Sequence, residues 1–271
     1  MTRKLMLSLA ATCALFAVAC QTVQTTNPGA IGVTRKQQML VSEEQVEQAS
    51  AQAYQQQLSE AKAKDALNKD SKLTARVRAV SQRLVPQTAT FRPDAPKWNW
   101  EFNTLQTDEL NAYCMPGGKI MVYSGLVDKL NLSDAEMAAV IGHEIGHALR
   151  EHSRERISRQ YAQQVALSGA AALTGAGEAL TSLAGTVANV TFQLPHSREQ
   201  ESEADRIGLE LMARAGYDPN AAVSVWKKMM AQEQSGQPQF LSTHPSPSSR
   251  IQDLQALVPK VLPLYQKSAK T

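Results

Sequence analysis

Apolar and polar positions along this chain change period several times, and each change marks an element. An unbroken apolar run from Leu5 to Ala19 gives way to a polar stretch, residues 21–41, broken by Pro28, Gly29 and Gly32. That stretch reads as a tether. From Ser42 to Val85 sparse apolar positions lie among Ala, Gln, Glu and Lys, strong helix formers, which predicts two helices interrupted near Asn68–Ser71. Pro86 to Pro96 reads as a loop. Trp98 to Asn103 then alternates apolar and polar residues, the period of a half-buried strand. Asn111 to Gly125 (NAYCMPGGKIMVYSG) reads as a strand, a Pro-Gly-Gly turn and a second strand over Lys119–Tyr123. Ser133 with Glu136 three residues later forms a capping box, so a helix is expected from about Asp134, with no stop signal until past Tyr161.

Residues 165–190 are rich in Ala, Gly, Leu and Thr and carry one charge, Glu178. Neither side of Glu178 is long enough to span a bilayer, so a close-packed helical hairpin is expected instead. Ser197 to Ala215 predicts a helix stopped by Gly216, with Pro219 just beyond; Pro219–Gln234 predicts another, and a terminal helix begins near Arg250. No internal repeat is present. The pattern predicts an α+β fold, mostly α, with a small β-sheet. Its expected organisation is a leader over 1–20, a tether over 21–41, an N-terminal helical arm over 42–97 and a main domain over 98–271.

Composition changes this picture at one end. A hydrophobic fraction of 43% suits a sizeable core, and a net charge of +3 with dispersed Lys and Arg excludes nucleic acid as an expected partner. Arg3 and Lys4 before the apolar run, and small residues after it, have the layout of a secretory signal peptide. Ala17-Val18-Ala19-Cys20 is similar to a bacterial lipobox, with Ala17 where leucine is usual, so Cys20 is the expected site of lipidation. Gln21 after it lacks the aspartate associated with inner-membrane retention, which points to the periplasmic face of the outer membrane, with a soluble periplasmic protein as the alternative. Cys13 would leave with the leader. Cys114 would then be the only remaining thiol, so the mature chain cannot close a disulfide, and the expected state of Cys114 is a buried thiol.

The candidate chemistry begins at AVIGHEIGHALREH, residues 139–152. His143 and His147 are four apart and share a helix face, a spacing that lets two imidazoles grip one zinc ion. Glu144 lies beside that face, placed to take a proton from a metal-bound water. His152 is rotated away from both on a continuous helix, and Arg150 and Ser153 stand where a third-histidine pattern would need Gly and His. His152 is therefore expected at the surface, and Glu151 as an ion-pairing residue. The remaining ligand is expected from a second helix containing EQESEAD, residues 199–205. There Glu201 and Asp205 share a face, suiting one carboxylate to the metal and the other to a ligating imidazole, while Glu203 points elsewhere. Gly146 and Gly208 permit close approach.

HEIGH followed by ESEADRIGLELMARAGYDP resembles the gluzincin metallopeptidases of the HtpX, Oma and CAAX-prenyl-protease group. The resemblance extends to NAYCMPGGKIMVYSGL and STHPSPSSR, covers about residues 98–255, and is nearest the periplasmic lipoproteins of the LoiP and BepA kind. It implies a zincin-like core with one zinc per chain, Glu201 as third ligand and Asp205 as the acid behind a histidine. It also implies that His244 and Arg250 bind the substrate carbonyl or oxyanion, with His244 capping the zinc at rest as the alternative. Gly118, Lys119, Ile120, Met121, Val122 and Tyr123 would form an edge strand that holds an extended peptide. The implied activity is a zinc metalloendopeptidase acting on misfolded or unassembled envelope proteins. The alternative is a chaperone-like outer-membrane lipoprotein with a latent site, plugged by residues 165–190. His196 has no implied role.

Overall fold

The computed structural model describes residues 21–168, 179–233, 239–244 and 249–268. The leader with Cys20, and the middle of the hairpin expected over 165–190, lie outside the described residues. Strands β1 (Gln21–Val23) and β2 (Gln37–Met39) form an antiparallel ribbon. Helix α1 (Glu43–Ala63) starts at a capping box between Ser42 and Gln45, and α2 (Ser71–Leu84) at Asp70, which accepts from two backbone N–H groups. The break between them, marked by positive φ at Asp65 and Asn68, falls where the sequence predicts it.

Strands β3 (Glu101–Leu105), β4 (Ala112–Met115) and β5 (Lys119–Tyr123) form one sheet in the order β3-β5-β4. Gly117 and Gly118, both at positive φ, make the turn that folds β4 antiparallel onto β5, pairing Cys114 with Ile120. The chain continues through α3 (Ser124–Lys129), α4 (Asp134–Leu149), α5 (His152–Ser168), α6 (Ala179–Phe192) and α7 (Arg198–Arg214). Helices α8 (Asn220–Glu233), α9 (Gln239–Thr243) and α10 (Ser249–Ser268) complete the described chain. This is an α+β fold, mostly α.

Helix α4 is its axis. The helix starts at Asp134 behind the Ser133–Glu136 capping box, and every residue from Glu136 to Leu149 is buried. It packs on α7 above all, and also on α8, β4 and α2. Contact with α7 is backbone to backbone. A Cβ on Gly208 would stand 2.6 Å from the His143 nitrogen, and one on Gly146 would stand 2.9 Å from the Ala204 carbonyl.

Three expectations are corrected. The stretch over 21–41 is no free tether: Ile31, Val33 and Met39 are buried, and several of its polar groups have partners in the rest of the protein. The N–H groups of Ala30 and Ile31 donate to Glu210, and Arg35 pairs with Glu155 and Glu203. The helices over 42–97 lie against the core, where Leu73, Val77, Val80 and Leu84 of α2 are buried. β5 is not an edge strand: β3 pairs with it in parallel on the side away from β4, so its backbone groups are already used. The edge facing the zinc-type motif is β4. Finally, the helix does not run on past Tyr161. Glu151 adopts φ 51°, the left-handed region, and α4 stops there before α5 begins at His152.

Candidate metal centre

Helical spacing on α4 and α7 brings three donors together, and the residue just after α9 adds a fourth. His143, His147, Glu201 and His244 are buried, and their ligand atoms lie within 4.8 Å of one another. His143 Nε2 is 3.0 Å from His147 Nε2 and 3.4 Å from Glu201 Oε2, and His147 Nε2 is 3.3 Å from Glu201 Oε1. Two ligands at about 2.0–2.1 Å from a tetrahedral ion stand roughly 3.3 Å apart, so these separations fit one small cation. The donor chemistry, imidazole with carboxylate, is that of a zinc-type site. Glu144 Oε1 is buried without a hydrogen-bond partner, with His244 Nε2 3.6 Å away. Such an orphaned acceptor at the rim of the cluster suits a group that must handle a proton.

The electrostatics agree. Burial and the Arg250 charge push His143 down, but Glu201 and Asp205 outweigh them and carry it up to about 9. The acids that hold a proton on His143 are the charge that a bound cation would need. Burial keeps His147 and His196 well below the usual histidine range, and lowers His152. Burial also raises Glu144. Glu201 is held well below the carboxylate range because His244, Arg250 and His143 overcome its burial.

Asp205 stands behind His143, its Oδ1 3.0 Å from Nδ1, on the side away from the donor cluster. This is the arrangement expected from the shared face of Glu201 and Asp205. Arg250 is brought to the cluster, where it meets two carboxylates. Its Nε and Nη2 donate to Asp205 at 2.5 and 2.6 Å, and Nη1 lies 2.8 Å from Glu201 Oε2. The guanidinium also lies 3.4 Å over the Trp226 ring. Nε and Nη2 thus grip Asp205, while Nη1 sits in the ion pair with Glu201 without a hydrogen-bond partner of its own. His244 takes the fourth donor place, its Nδ1 3.0 Å from Glu201 and 3.3 Å from His143 Nε2. Its ring is held between Phe240, at 4.4 Å, and His196, at 5.0 Å.

His152 is not at the surface. It is fully buried, and its Nδ1 is 2.7 Å from His147 Nδ1. The break at Glu151 turns the chain so that α5 begins by returning to the ligand it was expected to avoid. Glu203 also lies inside, bonded to His152, Arg35 and Arg150. Glu151 does pair ions, with Arg92 and Arg154. Cys114 lies in β4 with burial, then Glu144, raising its thiol well above the usual range, and it belongs to no donor cluster among the described residues. His196 stacks on His147 at 3.9 Å. Gly118–Tyr123 is held in the sheet, whereas Asn111–Cys114 lines a narrow cavity with Glu144, His147, Phe192, His196 and His244.

The sequence profile described as peptidase family M48 matches residues 71–258. The chain belongs to this family. The match begins at the first residue of α2. The chain is similar to the mitochondrial metalloendopeptidase OMA1 of Arabidopsis thaliana, 39% identical over 56% of this chain and 30% of that protein. It is similar to the OMA1 metalloendopeptidase of Bos taurus, 29% identical over 86% of this chain and 46% of the relative. The β-barrel assembly-enhancing protease of Escherichia coli is 28% identical over 74% of this chain and 42% of its own length. The chain thus spans about half or less of the curated M48 relatives it matches. No helix among the described residues is long and apolar enough to cross a membrane.

Proposed function

We propose that the protein is a zinc metalloendopeptidase of the cell envelope. The observation that carries this is the buried His143–His147–Glu201 cluster with Glu144 beside it, whose Oε1 has no hydrogen-bond partner. A bound zinc would supply a Lewis acid and a water of lowered pKa. Glu144 would take the proton from the attacking water and return it to the leaving amine. Asp205, clamped by Arg250, holds His143 in the tautomer whose Nε2 lone pair faces the cluster. An extended substrate would pair along the outer edge of β4, because among the described residues β4 pairs with β5 alone and its residues line the cavity beside Glu144. Backbone pairing is tolerant of sequence, which supports unfolded or unassembled envelope proteins as the substrate class. The lipobox-like leader supports export and anchoring through Cys20 at the outer membrane.

His244 supports a resting, latent form of the same site, because it takes the fourth donor place and the cavity is narrow. Substrate entry would displace it, freeing an imidazole to donate to the scissile carbonyl. The test is a casein digest of zinc-loaded wild type and Glu144→Gln. The variant should keep its zinc and lose cleavage by about 10²–10⁴-fold. Equal cleavage by both proteins would refute the reading. Radiolabelled palmitate incorporated by wild type and not by Cys20→Ala would support the anchor.

A further inference from the structure

One buried chain of polar groups is not used by the chemistry above. His147 Nε2 faces the donor cluster, while its Nδ1 lies 2.7 Å from His152 Nδ1. His152 Nε2 in turn lies 2.9 Å from Glu203 Oε2. Glu203 touches none of the four donors; it receives Arg35 through Nε and Nη2, both at 2.9 Å, and Arg150 at 3.1–3.2 Å. His152 and Arg150 are fully buried.

The proton positions along this chain have one consistent solution. A ligating imidazole nitrogen must present a lone pair, so Nε2 of His147 is bare and Nδ1 carries the hydrogen. His152 Nδ1 must therefore accept, which puts its own hydrogen on Nε2. That hydrogen faces Glu203, which as a carboxylate can only accept. Every link is satisfied in the tautomer that metal binding requires. In the opposite tautomer of His147 the pair of Nδ1 atoms would need a hydrogen from His152, and Glu203 would then face a bare nitrogen at 2.9 Å.

We propose that His152 and Glu203 are positioning residues for His147, a histidine–carboxylate relay that fixes its tautomer and ring, with Arg35 and Arg150 holding Glu203. This inference rests on the metallopeptidase reading, since it assigns the relay to a metal ligand. It places the N-terminal segment in the support of the site, because Arg35 is contributed by the stretch before β2. His143 uses Asp205 directly for the same task, so the two ligands are held by separate systems.

Zinc affinity tests the relay, measured by chelator competition on purified full-length protein, with thermal unfolding of the metal-free protein alongside. His152→Ala should bind zinc about 10–100-fold more weakly than wild type. His152→Asn places Oδ1 where Nδ1 stands and can still accept from His147, so its affinity should stay within about threefold of wild type. Both variants lose the bond to Glu203, so a purely structural role would lower their zinc affinities and unfolding temperatures together. If His152→Ala does not fold, His152→Leu, which fills the space without an acceptor, replaces it in the same comparison. Wild-type affinity in the apolar variant, or equal loss in the asparagine variant, overturns the relay. A wild-type protein that binds no zinc overturns the metallopeptidase reading itself, before any variant is compared.

Discussion

His143 and His147 stand one turn apart on α4, yet they are held from different ends of the chain. His143 leans directly on Asp205, and Asp205 is clamped by Arg250 at the start of α10. His147 meets a carboxylate only through His152, and that carboxylate, Glu203, is held by Arg150 and by Arg35 near the N-terminus. The first support is short and joins two charges. The second is longer, places a neutral ring between ligand and acid, and depends on the bend at Glu151. Both acids come from α7, two residues apart on different faces, so one helix serves both ligands. The centre is thus organised around the α4–α7 contact, with the chain's two ends closing it from either side.

The largest expected effect comes from breaking what the two supports share. Gly208→Ala places a methyl group 2.6 Å from the His143 backbone nitrogen and 2.8 Å from the Gly142 carbonyl carbon. Backbone cannot yield cheaply there, so α4 and α7 must separate. We expect a loss of about 1–3 kcal/mol or more, with loss of bound zinc and of cleavage together. Calorimetry should show the unfolding temperature lower by about 2–12 °C. A variant with wild-type stability and zinc content would show that the helix contact does not organise the site.

The next effect separates the two sides. Asp205→Asn keeps an oxygen near His143 Nδ1 but removes the charge that Arg250 grips. Zinc affinity should fall by about 10–100-fold, as expected for loss of a ligand-orienting carboxylate. The fall should exceed that of His152→Asn, whose ring substitute still accepts from its ligand. Chelator competition on both variants gives the ranking, and the reverse order would mean that the longer support carries more of the site.

How much of this could be read beforehand follows from the range of each interaction. Ser133 and Glu136 announce the start of α4 because a capping box is contained in four residues. Glu201 and Asp205 are legible because residues four apart share a helical face, and both do reach the histidines. His152 is not, since its position depends on Glu151 at φ 51°, a conformation that glutamate does not signal and that no glycine marks. The central place of β5 is hidden for a similar reason. Its pairing with β3 joins residues about 18 apart across a parallel crossover, whereas the turn to β4 is written locally at Gly117–Gly118. Residues 21–41 look like a tether because their polarity is answered by Glu210, Glu155 and Glu203, which lie far along the sequence.

The smallest expected effect probes that outer support through acid. Burial alone would raise Glu155, but hydrogen bonds from Arg35, Gln37 and Gln200 overcome it and hold the carboxyl at about 2. Glu203 is held down in the same way: against its burial, His152, Arg35 and Arg150 lower it. A carboxyl depressed in the folded state stabilises the protein above its unfolded pKa, near 4.5, and that contribution is lost as pH falls through the folded value. Arg35→Ala removes one partner from each acid while leaving Gln37 and Gln200 on Glu155, and Arg150 and His152 on Glu203. Both folded values should rise toward the ordinary range. Unfolding temperatures of metal-free wild type should therefore fall more steeply than those of the variant between pH 4.5 and about 2, with the gap between them narrowing in acid. At neutral pH the variant should be less stable by about 1–2 kcal/mol, since each acid keeps other donors. Parallel pH profiles would mean that Arg35 rests on these acids without holding them, and that His147 is supported by α4, α5 and α7 alone.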